Sequence, residues 1–567
     1  MNTLSYQEGP NPNTNVEDEK VIYDKEDIQH VEATAGMPPR GSVANDTWAD
    51  IKAEAERSEA LEHSLTIGQS LRIYKSAVFW AAAASLSIIM EGYDTALLGA
   101  FWGLPAFQQH YGEYLPSTGG YQVPAEWQIA IGQGSTIGNF FGIFWGSFLI
   151  DRLGYRKSLL INMAMMIPFI GIVTFAPNRI VLLVGEILCG VPWGVFSTLA
   201  EAYSSEICPL TLRGYLTTYV NLCWVIGQFI SAGVLVSIQS LEGQWAYRLP
   251  FAIQWVWPIP LLILIYLSPE SPWWLVRHGK LDEAEVSVRR LASADMKDRA
   301  RDTVAMMVRT NQLEIDVSEG TRYIDCFRGT DRRRTEISMI VWGCQQFCGL
   351  PFAGWAVYFF QQAGLSVADS YKLGLGNTAG AFCGTVASWF LITKFGRRPL
   401  FIFGMSWLCA GQFLIGILAV IARKGSSGAQ WAQAAVMLIW VFSYDATIGP
   451  LAYCIVGEAS STRLRNKTVG LSRNFYNIVG IAAGLGMPYM LNPGQLNWGG
   501  LTGFFWGPIA LAFTVWSWFR VPEFKGRSYY ELDILFERKV SARKFASTVV
   551  ERDADEHNRA AEGLPTH

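Results

Sequence analysis

Apolar windows about 20 residues long recur between Ala77 and Phe519, while polar residues collect between them and at both ends. A helix needs about 20 apolar residues to cross a bilayer, so the pattern predicts an all-α membrane protein. Twelve windows start near Ala77, Trp127, Ser158, Ile180, Leu216, Phe251, Ile337, Tyr371, Leu400, Trp431, Thr468 and Leu501. The longest polar interruption divides them six and six. The expected organisation is an N-terminal tail (1–75), a six-helix bundle (76–268), a linker with short surface helices (269–336), a second six-helix bundle (337–521) and a C-terminal tail (522–567).

Composition agrees with that pattern. Half of the 567 residues are hydrophobic and only 16% are charged, against roughly 25% in an ordinary soluble domain. The net charge of −3 matters less than its placement. If the N-terminus is cytosolic, the inner connections carry 23 Lys and Arg and the outer ones five: Arg179, Arg248, Lys372, Arg423 and Lys424. This bias sets orientation, so both termini are expected in the cytosol, the polar N-terminus being no signal peptide. No basic tract suggests nucleic acid, and the nine cysteines lack metal-ligand spacing. With no nucleophile–base constellation or nucleotide loop either, no enzyme activity and no cofactor are expected.

The two halves repeat each other. "DRLGYRKS" follows the second window and "KFGRRPL" the eighth. Glu206 with Arg213 follows the fourth, and Glu458 with Arg465 the tenth. "SPESPWWL" follows the sixth and "VPEFKGRS" the twelfth. Parallel repeats of this kind place a substrate site between the halves near the midplane. Asp151, Arg152, Arg156, Glu206, Arg213, Arg397, Glu458 and Arg465 sit at inner helix ends. Charge-assisted Arg–carboxylate bonds there would form as the inner face closes and break as it opens, which makes these residues the candidate gate.

Several polar residues lie inside the apolar windows. "SIIMEGYDTALLGAF" carries Glu91 and Asp94 three apart, hence on one helical face. An ionised acid at a bilayer centre costs about 2.5–3.5 kcal/mol on insertion scales, so such residues mark function and need a partner. Two adjacent acids need not both ionise, and a proton taken up outside and released inside would couple transport to the proton gradient. Glu186 in "LLVGEILCG" is a third embedded acid, and Arg473 in "GLSRNFYN" is the best intramembrane cation. A sugar offers hydroxyls for amide side chains and C–H faces for aromatic rings, the mix found in ligand sites. Tyr453, Trp355 and Asn377 are candidate liners on that ground.

"DRLGYRK", "PESPWWLVRHGK", "KFGRRPL" and "PEFKGRS" together resemble the signatures of the sugar porter family of the major facilitator superfamily, over about residues 80–545. "LTTYVNLCWVIGQFISAGVL", "CGLPFAGWAVYFFQQAGL" and "GPLAYCIVGEASSTRLRNKTVGLSRN" are similar to fungal α-glucoside (maltose-type) permeases. The resemblance implies a twelve-helix carrier working by alternating access, with Asp94 at a proton-coupling position and Asn221, Gln228, Gln345 and Gln346 at sugar-contact positions. Departures stand beside it: Thr393 occupies the place of Asp151 in the second half, Trp273 stands where most sugar porters carry Arg, and Pro351 replaces a common sugar-binding Asn. Tyr453 replaces a Trp, and Glu186 stands where many proton-coupled members carry the Arg that pairs with the aspartate. Arg473 is therefore the expected counter-charge to Asp94. The resulting expectation is a plasma-membrane proton symporter importing a maltose-like α-glucoside, its partners being the sugar, protons and the lipid bilayer, and not nucleic acid. A carrier, importer or exporter, of another sugar or polyhydroxylated metabolite is the alternative, and a sugar sensor a third reading that the short C-terminal extension disfavours.

Overall fold

The computed structural model describes Glu54 and residues 67–548, apart from 117–118, 209, 239–240, 242, 293–298, 319–321, 462–463, 526 and 528. Each predicted window is a helix. The first half contains α1 (Lys75–Phe101), α2 (Ala125–Leu153), α3 (Tyr155–Thr174), α4 (Arg179–Ile207), α5 (Leu210–Ile238) and α6 (Trp245–Tyr266). The second begins with α7, which runs over Asp331–Phe347 and continues through Leu350–Gly354 and Ala356–Gln362 after a break at Gly349, where φ is +105°. It continues with α8 (Val367–Lys394), α9 (Arg397–Ala422), α10 (Ser427–Ala459), α11 (Arg465–Leu491) and α12 (Gly499–Arg520).

The halves pack alike. In the first, α1 lies on α5, α2 on α4 and α3 on α6; in the second, α7 lies on α11, α8 on α10 and α9 on α12. Apolar side chains give little drive for association in lipid, so close backbone approach does more of the work. The α2–α4 seam is built this way: a Cβ at Gly138 or Gly142 would strike the Ile187 or Val191 carbonyl, and one at Gly190 or Gly194 would strike the Ser135 or Asn139 carbonyl. Gly92 and Gly227 bring α1 and α5 together in the same manner.

Among the described residues, nine of the twelve helices are long and apolar enough to cross a membrane by composition alone. The other three are α2, α7 and α11, and each packs against the opposite half: α2 on α11, and α7 on α1. Gln133 of α2 lies against Gly484 of α11, so part of their polar and small surface faces the seam between halves.

Two faces can be told apart. The linker side carries the helices Pro272–Arg277, Leu281–Leu291 and Ala300–Ser318. Leu281, Ala284, Val288 and Leu291 recur along one face of the middle helix and are buried, with acids in its first turn and arginines in its last, the order that suits the helix dipole. The opposite, hairpin side departs from an all-helical expectation by one small element, β1 (Glu113–Leu115) paired antiparallel with β2 (Gly120–Gln122). Packing contacts across the halves gather there. The Trp102 and Trp355 rings stack at 5.7 Å, the Tyr371 hydroxyl donates to the Ala100 carbonyl at 3.0 Å, and Asn492 Nδ2 donates to the Val123 carbonyl at 3.1 Å. Tyr358 Oη donates to Gln122 Oε1 at 3.4 Å, and Leu115 Cδ2 lies 3.6 Å from where a Gly494 Cβ would stand. The path between the halves is closed on the hairpin side.

Candidate functional site

The embedded acids form two sites rather than one. Asp94 points into the first half and is 1% exposed. Gln254 Nε2, in the 3₁₀ turn Gln254–Val256 that precedes Pro258 in α6, donates to Asp94 Oδ1 at 2.5 Å. The fully buried Glu186 carboxyl of α4 lies against Asp94. Among the described residues, Asp94 Oδ2 and both Glu186 carboxylate oxygens have no N–H or O–H donor from another side chain or the backbone. Glu91, one turn earlier, turns elsewhere: Asn139 Nδ2 of α2 donates to its Oε1 at 3.3 Å, and Arg473 of α11 acts on it electrostatically. The expected pairing of Arg473 with Asp94 is thus corrected. Three residues advance a helix by 300°, so the two carboxyls diverge by 60°, enough to meet different neighbours. The Arg473 guanidinium also lies 5.5 Å from the Trp342 and Tyr476 ring centres.

The candidate sugar contacts gather chiefly around α7. Gln345 is 5% exposed and its Oε1 accepts from the Tyr444 hydroxyl at 3.1 Å. Gln346 lies beside Tyr476 and Gly480. The Tyr453 ring, 39% exposed, meets Trp342 edge-on at 5.6 Å. Asn377 of α8 is buried and its Oδ1 has no donor among the described residues. Asn221 and Gln228 are half-buried, seven residues apart on one face of α5. Trp355 stacks on Trp102 in the hairpin-side closure.

On the linker side, two acids cap helices from a distance. Glu270 accepts from the backbone N–H groups of Tyr155 at 2.8 Å and Arg156 at 3.2 Å, at the start of α3. Glu523 does the same at the start of α9, accepting from Arg397 N at 2.8 Å and Arg398 N at 3.2 Å. Helix N-termini leave these donors unsatisfied and attract negative charge. Burial pushes the Glu270 carboxyl up from its ordinary value, and the N–H groups of Ser271, Arg156 and Tyr155 oppose that. Gly154 precedes α3 at φ +87°, and a Cβ there would sit 2.6 Å from Glu270 Oε2.

The gate pairs are only partly those expected. Arg397 binds Glu458 through Nη2 to Oε1 at 2.8 Å and Nε to Oε2 at 3.2 Å. Glu206, however, takes its cation from Arg277, and also accepts from the Ser271 hydroxyl and from Tyr155 Oη at 2.9 Å. Arg277 lies four residues, one helical turn, after Trp273, so the guanidinium absent from that position is supplied from the next turn. Arg156 donates instead to the Tyr266 carbonyl, Arg152 stacks over Phe148 at 4.5 Å, and the Asp151 contact is its backbone carbonyl with His278 at 2.8 Å. The side chains of Arg213 and Arg465 lie outside the described residues. Sequence reasoning missed Gln254, Asn139 and Arg277. Gln254, as the amide within the sixth apolar window, was the most findable of them.

Residues 80–536 match the family model described as "Sugar (and other) transporter". The chain belongs to this sugar transporter family. The alpha-glucosides permease MPH3 of Saccharomyces cerevisiae is 36% identical over 94% of this chain and 90% of its own. The maltose permease MAL61 of Saccharomyces cerevisiae is 36% identical over 94% and 88%. Among solved structures, the partially occluded inward open xylose transporter XylE from E. coli aligns with a TM-score of 0.63 at 21% identity, covering 80% of this chain and 100% of that one. That likeness shows the fold, which is that of the major facilitator superfamily. The chain is accordingly a multi-pass membrane sugar transporter rather than an enzyme.

Proposed function

We propose that this sugar transporter imports an α-linked glucoside such as maltose together with a proton, across the plasma membrane, with both termini cytosolic. The observation that carries the coupling is the contact between two buried carboxyls, Asp94 and Glu186, with Gln254 holding one oxygen. Both acids ionised would repel each other in a low-dielectric site. One proton between them removes a charge and supplies the O–H donor that their free oxygens lack. Loading from one side and release on the other makes the pair a proton carrier that needs no cofactor beyond the proton gradient. Glu91 and Arg473, on opposite halves, attract each other across the seam and would resist its separation.

The substrate class rests on the relatives named for α-glucosides and maltose and on site chemistry. Gln345, Gln346, Asn377, Asn221 and Gln228 offer amides to hydroxyls, while Tyr453 offers a ring face. One proton crossing 100 mV supplies about 2.3 kcal/mol, and a two-unit pH difference adds roughly 2.7 kcal/mol. Together these support accumulation on the order of a thousandfold.

The test is the response of medium pH when maltose is added to cells whose only sugar carrier is this chain. Alkalinisation with uptake is expected. Uptake without proton movement overturns the coupling. Indifference to every α-glucoside favours another polyhydroxylated substrate, a reading to which the departures at Pro351 and Tyr453 lend weight.

A further inference from the structure

A cavity of about 350 Å³ opens on the linker side between the start of α7, the end of α12 and the C-terminal helix Tyr529–Glu537. Arg333, Arg520 and Lys539 line it, with Phe519, Phe536 and Thr330. Among the described residues lining it there is no carboxylate. A bias toward basic residues on one membrane face would account for scattered arginines, but not for the way these are built in. Arg333 is fixed: its Nη1 donates to the Val540 carbonyl at 2.7 Å, and its guanidinium lies 5.4 Å from the Phe536 ring centre and 5.6 Å from that of Phe545. Its Nε is buried and has no acceptor among the described residues. The Arg520 charge beside it repels the Arg333 guanidinium, and Glu336 attracts it. Glu336 is already engaged by Arg520, whose Nε donates to Oε1 at 3.0 Å.

The mouth of the cavity adjoins surface that meets lipid. Trp518 and Phe519, at the end of α12, are 49% and 55% exposed, and the Arg543 guanidinium sits 4.6 Å above the Phe519 ring. Aromatic residues at a helix end with flanking arginines mark the interface between acyl chains and headgroups. Basic clefts between helices at that level bind anionic headgroups.

We propose that this cavity binds the phosphate of an anionic phospholipid headgroup, with Arg333 and Lys539 as its principal ligands and the acyl chains running along α12 past Phe519. The phosphate oxygens accept from the Arg333 guanidinium and from the Lys539 ammonium, and they relieve the repulsion between Arg333 and Arg520. The site is separate from the sugar path and does not depend on which sugar is carried.

The experiment is thermal unfolding of the purified full chain in detergent, titrated with short-chain phosphatidylinositol, short-chain phosphatidylcholine or inorganic phosphate. The expected result is a rise in the unfolding midpoint with phosphatidylinositol alone. Removing one basic ligand should raise the half-saturating concentration about fivefold. Lys539→Asn tests this without disturbing the backbone, since Lys539 is exposed at φ 53°, a conformation that Asn adopts readily. Arg333→Gln is the second variant, and should show a similar loss. An equal response to phosphatidylcholine, a half-saturating concentration unchanged in Lys539→Asn, or an equal shift with inorganic phosphate at the same concentration would each overturn the proposal, the last by pointing to a free phosphate ion.

Discussion

At the residue scale, the departure that matters most is an acid where a base is common. With Glu186 in place of Arg, Asp94 has a second carboxyl beside it and the Gln254 amide on its other oxygen. Asp94→Asn and Glu186→Gln should each abolish accumulation, reducing a gradient that can approach a thousandfold to simple equilibration. Exchange of labelled sugar across the membrane should persist, and counterflow in proteoliposomes separates the two. Gln254 is 2% exposed and donates to Asp94, so its role is to position Asp94. Gln254→Leu should displace the pH profile of uptake while leaving some transport, and an unmoved profile would reduce Gln254 to packing. Arg277 is tested against Arg397. The Arg397–Glu458 pair is doubly bonded, with side chains 20% and 24% exposed, so Arg397→Ala should cost about 1.5–3 kcal/mol in thermal unfolding. Arg277 is 44% exposed, so Arg277→Ala should cost about 1 kcal/mol or less.

At the scale of elements, helix positions were written in the sequence because an apolar run of this length has few alternatives in a bilayer. The helix starts were not. The beginnings of α3 and α9 are held by Glu270 and Glu523, more than 100 residues away in the chain. "PES" and "PEF" could be seen to repeat, but repetition does not say what each glutamate touches. Gly154 belongs to this device. Gly154→Ala should destabilise by about 1–3 kcal/mol from the backbone alone, since φ +87° with ψ 174° is essentially restricted to glycine, and more once the new methyl displaces Glu270. Thermal unfolding of the purified protein reads this, and Gly233→Ala, where nothing lies within 4 Å of an added Cβ, is the control.

At the scale of the whole molecule, the structure is caught with the hairpin side shut. Trp102 and Trp355 close it, along with bonds from Tyr371, Tyr358 and Asn492 that each cross from one half to the other. Aromatic pairs are worth about 0.5–1.5 kcal/mol beyond their buried area. Trp102→Ala should therefore shift the population toward the state open on that side by roughly two- to tenfold. A cysteine placed at Gly354, whose carbonyl is 2.6 Å from where a Gly99 Cβ would stand, should react faster with an impermeant thiol reagent in Trp102→Ala than in the parent. An unchanged rate would remove Trp102 from the closure.

The sequence by itself determined the twelve helices, the division into repeated halves, and the residue types on offer. Hydrophobic length and motif order are local properties, and the bilayer leaves few ways to satisfy a backbone. Which polar side chains meet was decided only by tertiary structure. Glu91 and Asp94 are one turn apart in sequence, yet one faces Arg473 across the seam and the other Glu186 within its own half. Arg277 reaches Glu206 from beyond α6, and Trp355 meets Trp102 across the halves. Pairing depends on the rotation of each helix about its axis and on how closely its glycines let neighbours approach. Both are settled by packing between segments far apart in the chain, which no local pattern encodes.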